Sequence, residues 1–158
     1  MNVEREMVDV LLVEDNPSDA DLAMRALTRG QLTAHITVLS DGAEALAYLF
    51  GPDAEGPCRL DPLPKLILLN LHLPKVSGLE VLARLKADPQ TRTIPVVMLT
   101  SSEEEQDVFR SYQLGVNSYI VKPVDFLSFR EAVRQLGDYW LTLNKPPAQK
   151  GAGATNDG

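Results

Sequence analysis

Two adjacent carboxylates, Glu14 and Asp15, follow the apolar run Val8–Val13, and Asn70, Thr100 and Lys122 each follow a later apolar run. An acidic pair, an amide oxygen, a hydroxyl and an ammonium make a kit for a hard divalent cation and a phosphoryl group. Mg²⁺ takes oxygen ligands, commonly one or two carboxylates with several waters retained. Lysine and a threonine hydroxyl would stabilise phosphoryl oxygens, because phosphoryl transfer depends on positioning and charge neutralisation. Other chemistries lack their signatures. No G-x-x-x-x-G-K-[ST] loop and no G-x-G-x-x-G fingerprint occurs, so neither a nucleoside triphosphate nor a dinucleotide is indicated. No Ser/His/Asp arrangement for hydrolysis is identifiable, and the two distant histidines, His35 and His72, are not a metal site. Taken singly, an acidic pair after a strand reads as a solvated loop and Thr100 as a strand end. Their joint placement carries the argument.

That placement depends on the elements around them. Five short runs rich in Leu, Ile and Val read as strands: Val8–Val13, His35–Leu39, Leu66–Leu69, Val96–Leu99 and Ser118–Val121. Amphipathic stretches lie between them, the pattern of repeated βα units around a parallel sheet covered on both faces. Helix starts are marked. Asn16 precedes Pro17, with Asp19 and Asp21 in the next turn as favourable dipole charges. Asp41 with Glu44, and Ser102 with Glu105, resemble capping boxes. Five such units predict a doubly wound α/β fold of three layers, in which ligands bind outside the carboxyl ends of the strands. Glu14, Asp15, Asn70, Thr100 and Lys122 all fall there. The stretch Gly51–Lys65, with its prolines and glycines, is too broken for a helix and is expected to be a disordered or functional loop.

Composition bounds the rest. At 158 residues, the chain is expected to form one folded unit, residues 1–144 with a core at about 8–140, followed by a disordered tail over 145–158. Fifteen Lys and Arg against 22 Asp and Glu give a net charge of −7, which repels polyanions and argues against nucleic-acid binding. Cys58 is the single cysteine and reads as incidental, which fits a reducing compartment. Met1–Met7 carries no apolar segment of a signal peptide, and no run approaches the 18 or so apolar residues of a membrane span. A cytoplasmic protein is expected, with no further domain after the tail.

Four segments, LLVEDNPSD (Leu11–Asp19), LILLNLHLPKVSGLEVL (Leu66–Leu82), IPVVMLTSS (Ile94–Ser102) and GVNSYIVKPVD (Gly115–Asp125), follow one another in an order and spacing that resembles the receiver domains of two-component response regulators. The resemblance spans roughly Asp9 to Trp140. It implies a flavodoxin-like (βα)₅ fold and acceptance of a phosphoryl group from a histidine kinase by an aspartate, with no enzyme activity beyond self-phosphorylation and autodephosphorylation. It further implies that Glu14 and Asp15 are the Mg²⁺-side acids and that His72 offers the metal only its backbone carbonyl. Thr100 would contact the phosphoryl group, Lys122 would pair with it, and Tyr119 would be an aromatic switch. The Lys122–Pro123 bond is expected to be cis. One position departs from the pattern. Where the family carries its phosphorylated Asp, this chain has Asn70. A neutral carboxamide is a poor nucleophile and forms no acyl phosphate, and the lost charge should weaken Mg²⁺ binding. Whether Asn70 is natural or engineered stays open at this level.

The final helical stretch carries a second signal. Phe126, Phe129, Val133, Leu136, Trp140 and Leu143 are spaced as a heptad-like seam. A helix from Phe126 to Leu143 would run roughly 27 Å, whereas a five-residue strand spans about 17–20 Å. Its end should overhang, and Leu136, Tyr139, Trp140 and Leu143 are predicted to form a two-fold homodimer interface. The closing DYWLTLNKPP and the Pro-rich loop are similar to the small single-domain response regulators of phytochrome histidine kinases, which implies such a kinase as partner. Two rival readings remain: a phosphorylation-independent docking module on the same fold, and a small-molecule or nucleotide-binding enzyme on it.

Overall fold

The computed structural model describes residues 8–28 and 35–148. Its elements run β1 (Val10–Val13), α1 (Pro17–Leu27), β2 (Ile36–Leu39), α2 (Gly42–Phe50), β3 (Leu66–Leu69), α3 (Gly78–Ala87), β4 (Val96–Thr100), α4 (Glu105–Gln113), β5 (Ser118–Val121) and α5 (Phe126–Asp138), with a π-helical turn at Tyr139–Leu143. All pairings are parallel and the sheet order is β2-β1-β3-β4-β5. The order reverses between β1 and β3, so the crevice of such a fold opens beside the tips of those two strands.

Alternation along the strands divides the core into two. Leu11, Val13, Ile67, Leu69, Val96 and Met98 face α2 and α3, packing on Leu49, Phe50, Leu82 and Leu85. Val10, Leu12, Leu66, Leu68, Val97 and Leu99 face α1 and α5, packing on Ala23, Leu27, Phe129 and Val133. The result is the expected three-layer, flavodoxin-like five-stranded fold. β1, β3 and β4 are buried along their whole length, which is why they read as unbroken apolar runs.

Local signals mostly hold. Asn16 caps α1 by accepting from the backbone N–H of Ser18 and Asp19, and Asp41 caps α2 through the N–H of Glu44. Glu44 returns its bond to the N–H of Ser40 rather than of Asp41. Ser102 does not cap α4, which starts after Glu104 without a side-chain cap. Its hydroxyl instead donates to Asp107 at 2.6 Å. β1 starts at Val10, because Asp9 and Val10 both donate to the carbonyl of His35 below the strand.

Three expectations need larger correction. The loop over Gly51–Lys65 is packed: the Arg84 guanidinium stacks 3.7 Å from the centroid of Phe50 and donates to the carbonyls of Ala54 and Gly56. Cys58, Leu60 and Leu63 sit against the core. The last helix does not overhang as one rod. It closes into a π turn, with Asn144 N–H bonded to the Tyr139 carbonyl, that brings Trp140 and Leu141 back onto the α1–α5 core. The Lys122–Pro123 bond is trans, and the cis bond among the described residues is Asp61–Pro62. Trans is favoured by about 0.5–1 kcal/mol for X–Pro, and the Lys122 side chain finds its partners without the cis form. Pro146 and Pro147 line an apolar cleft with Val8 and Pro95 at the opposite end of the sheet. The expectations for Met1–Met7 and for the tail beyond Ala148 fall outside the described residues.

Candidate functional site

Five of the residues singled out from sequence, Glu14, Asp15, Asn70, Thr100 and Lys122, lie at the strand tips. Val13 pairs with Leu69, so Glu14 and Asp15 leave β1 beside Asn70 leaving β3. Leu69 pairs with Met98 and Thr100 with Val121, which puts Thr100 on the next tip and Lys122 on the one beyond. The Lys122 N–H donates to the Thr100 carbonyl at 2.7 Å, tying the last two tips together. Helix α3 approaches closely here. A Cβ on Gly78 would stand 2.1 Å from the Asn70 carbonyl oxygen, so only glycine lets α3 begin at this place.

The side chains form one continuous chain of hydrogen bonds. Lys122 Nζ lies 2.7 Å from Glu14 Oε1 and 2.9 Å from Asp19 Oδ2. Asn70 Nδ2 donates to Glu14 Oε2 at 3.2 Å and to Asp15 Oδ1 at 3.1 Å. Glu14 Oε2 also accepts the N–H of Asn16. Acceptors and donors therefore alternate along Asp19, Lys122, Glu14, Asn70 and Asp15. Glu14 and Lys122 are nearly buried, with side chains 3% and 11% exposed, whereas Asp15 is exposed. Burial lifts the Glu14 carboxyl above its ordinary value, against the bonds from Lys122 and Asn16. Burial works to lower the Lys122 ammonium, but its bonds to Glu14 and Asp19 outweigh that and hold it above the usual lysine range.

Asp19 is the residue that sequence reading undervalued, as a helix-dipole charge. Its signal is its place in the first turn of α1, four residues after Asp15 and on the side of Lys122. Thr100 is buried, and its hydroxyl oxygen accepts the N–H of Ser102. Tyr119 is half-buried and donates its hydroxyl to the Ser102 carbonyl at 3.0 Å, so it reaches the β4–α4 loop rather than the acids. Pro123 is half-buried beside Lys122. The His72 side chain is exposed and lies 3.8 Å from Asp107, outside the acidic set. Of the four residues expected at a dimer interface, Leu136 is buried in the chain's own core and Trp140 is half-buried against it. That is a correction: their apolar surface is used internally. Tyr139 and Leu143 remain 48% and 75% exposed.

The residues present offer a divalent cation a poor fit. The Asn70 amide directs its hydrogens at the carboxylates of both Glu14 and Asp15, and one oxygen of Glu14 is held by Lys122. Among the described residues no group of three or more His, Cys, Asp or Glu side chains could hold a metal. None of the described helices is long and apolar enough to cross a membrane.

A family model described as the response regulator receiver domain matches residues 10–134. A probable methanogenesis regulatory protein, FilR2, of Methanothrix harundinacea is 44% identical over 87% of this chain and 86% of its own. Response regulator Rcp1 of Synechocystis is 39% identical over 88% of this chain and 92% of its own. A Mn²⁺-bound form of Rcp1 superposes with a TM-score of 0.78, over 88% of this chain and 98% of that one. The phosphorylated cyanobacterial phytochrome response regulator RcpA is 40% identical, with a TM-score of 0.79 over 88% of this chain and 97% of that one.

Proposed function

The chain belongs to the response regulator receiver domain family, and on that premise we propose that it is a single-domain response regulator serving a phytochrome-type sensor histidine kinase, with phosphoryl acceptance disabled at Asn70. Receiver domains are signalling modules rather than enzymes, and output here is contact with another protein. The kinship with Rcp1 and RcpA supports the kinase assignment. The observation that carries the rest is the Asn70 amide bonded to both Glu14 and Asp15.

In the Asn70→Asp form a carboxylate oxygen would attack the phosphorus of a kinase phosphohistidine. The new O–P bond forms as the N–P bond breaks, and the imidazole leaves with its nitrogen electron pair. Thr100 and Lys122 would receive the phosphoryl oxygens, and Tyr119 and Pro123 would act as the switch. Glu14, Asp15, the carboxylate introduced at position 70 and the His72 carbonyl would then supply the oxygen-rich set that Mg²⁺ prefers. Asn70 offers no anionic nucleophile, so the chain as it stands takes no phosphate and binds Mg²⁺ weakly. The closed network of donors and acceptors also supports the second reading, a docking module that needs no phosphate, because its charges are paired without a ligand. The exposed Tyr139 and Leu143 support self-association through the last helix, and the net charge of −7 argues against a nucleic-acid partner. A cytoplasmic location follows from pairing with such a kinase.

The test is phosphotransfer from a labelled phytochrome-type histidine kinase to the chain and to its Asn70→Asp form. Label on the second and none on the first is expected. Label on neither, with retained binding to the kinase, would favour the docking module.

A further inference from the structure

We propose that Asp19 is a positioning residue for Lys122: it holds the ammonium on the α1 side of the pocket and so restrains phosphoryl acceptance whenever position 70 carries a carboxylate. The inference rests on the reading above for its second half, while its first half stands on this chain alone. Lys122 has three N–H donors, and its bonds run to Glu14 and Asp19; among the described residues none runs to Asn70. Asp19 is itself fixed. Its backbone N–H is bound by the capping side chain of Asn16, it occupies the first turn of α1 where the helix dipole favours an anion, and its side chain is partly buried. Asp19 is the acid of the first turn of α1, and the next acid along the helix, Asp21, pairs with Arg25 instead, so α1 presents one specific carboxylate to Lys122. A lysine that must follow a phosphoryl group has first to give up that partner.

Two measurements separate positioning from charge alone. In the Asn70→Asp background, a small phosphodonor such as acetyl phosphate, with Mg²⁺, transfers its phosphoryl group to the carboxylate and releases acetate. Asp19→Asn should speed this labelling about tenfold, the value of one charge-assisted hydrogen bond partly offset by solvent. Asp19→Glu should restore the slow rate, and Asp21→Asn, which removes the same charge without touching Lys122, should leave it unchanged. In the chain with Asn70, ¹⁵N-edited NMR should detect a protected Lys122 ammonium signal that is lost in Asp19→Asn and kept in Asp19→Glu. An unchanged signal in Asp19→Asn, or equal acceleration by Asp21→Asn, would overturn the proposal. If the Asn70→Asp form accepts no phosphate at all, the proposed function fails, and the ammonium signal decides the role of Asp19 by itself.

Discussion

The Asn70 side chain donates to the buried carboxylate of Glu14 across 3.2 Å, joining the tips of β3 and β1. Its second amide hydrogen goes to Asp15. An amide thus bridges the two acids. Three carboxylates, Glu14, Asp15 and Asp19, are held by one ammonium and one neutral amide.

Metal dependence should divide the two forms of the chain. Replacing Asn70 by Asp removes both bridging donors and adds a carboxylate beside Glu14 and Asp15. The Asn70→Asp form should therefore melt lower in EDTA than in millimolar Mg²⁺ or Mn²⁺, by several degrees, since binding to the folded state alone adds stability by mass action. The chain with Asn70 should melt at nearly the same temperature in both. Differential scanning calorimetry reads both values directly.

Lys122→Met should destabilise the protein by about 3–5 kcal/mol at neutral pH, because Glu14 would remain buried without its cation. The pH dependence has a definite sign. A lysine held above its ordinary value of 10.5 gives stability that is complete below that value and is lost as pH rises through the raised one. Urea midpoints of the two proteins should converge in that alkaline range. They should also approach one another in acid as Glu14, itself raised by burial, takes up a proton.

Arg84 is expected to matter more than its half-exposed position suggests. Arg84→Ala removes the stack on Phe50 and the bonds to Ala54 and Gly56, together about 1–2 kcal/mol. Hydrogen exchange should quicken across residues 51–60 and hardly elsewhere.

Much of this architecture was legible because buried parallel strands read as apolar runs and because their tips collect polar groups. Asn70, Glu14, Asp15 and Lys122 are assigned to one pocket by their places after the apolar runs, and their side chains meet there. Asp19 is not, because its dipole role in α1 explains it adequately and its partner lies 103 positions away. Arg84 stayed hidden for the same reason: a loop held from another element looks unstructured in its own sequence. Of the seam over Phe126–Leu143, Phe129, Val133, Leu136 and Trp140 pack within the chain's own core, whereas Phe126 and Leu143 stay exposed. Periodicity does not reveal that a π turn folds Trp140 and Leu141 onto the chain's own core.

Self-association should accordingly respond to the residues left outside. Sedimentation at tens of micromolar should give a dimer that is weakened by Tyr139→Ser with Leu143→Ser, both exposed. Trp140→Ala should chiefly lower the melting temperature, since its ring packs internally. A monomer at all concentrations would remove the last helix from the account.

The most direct test is intact mass after incubation with acetyl phosphate and Mg²⁺, comparing the chain with its Asn70→Asp form. One added phosphoryl group on the Asn70→Asp form and none on the chain is the expected result. Phosphate on the chain itself, or on neither protein, would contradict a receiver pocket silenced at its nucleophile.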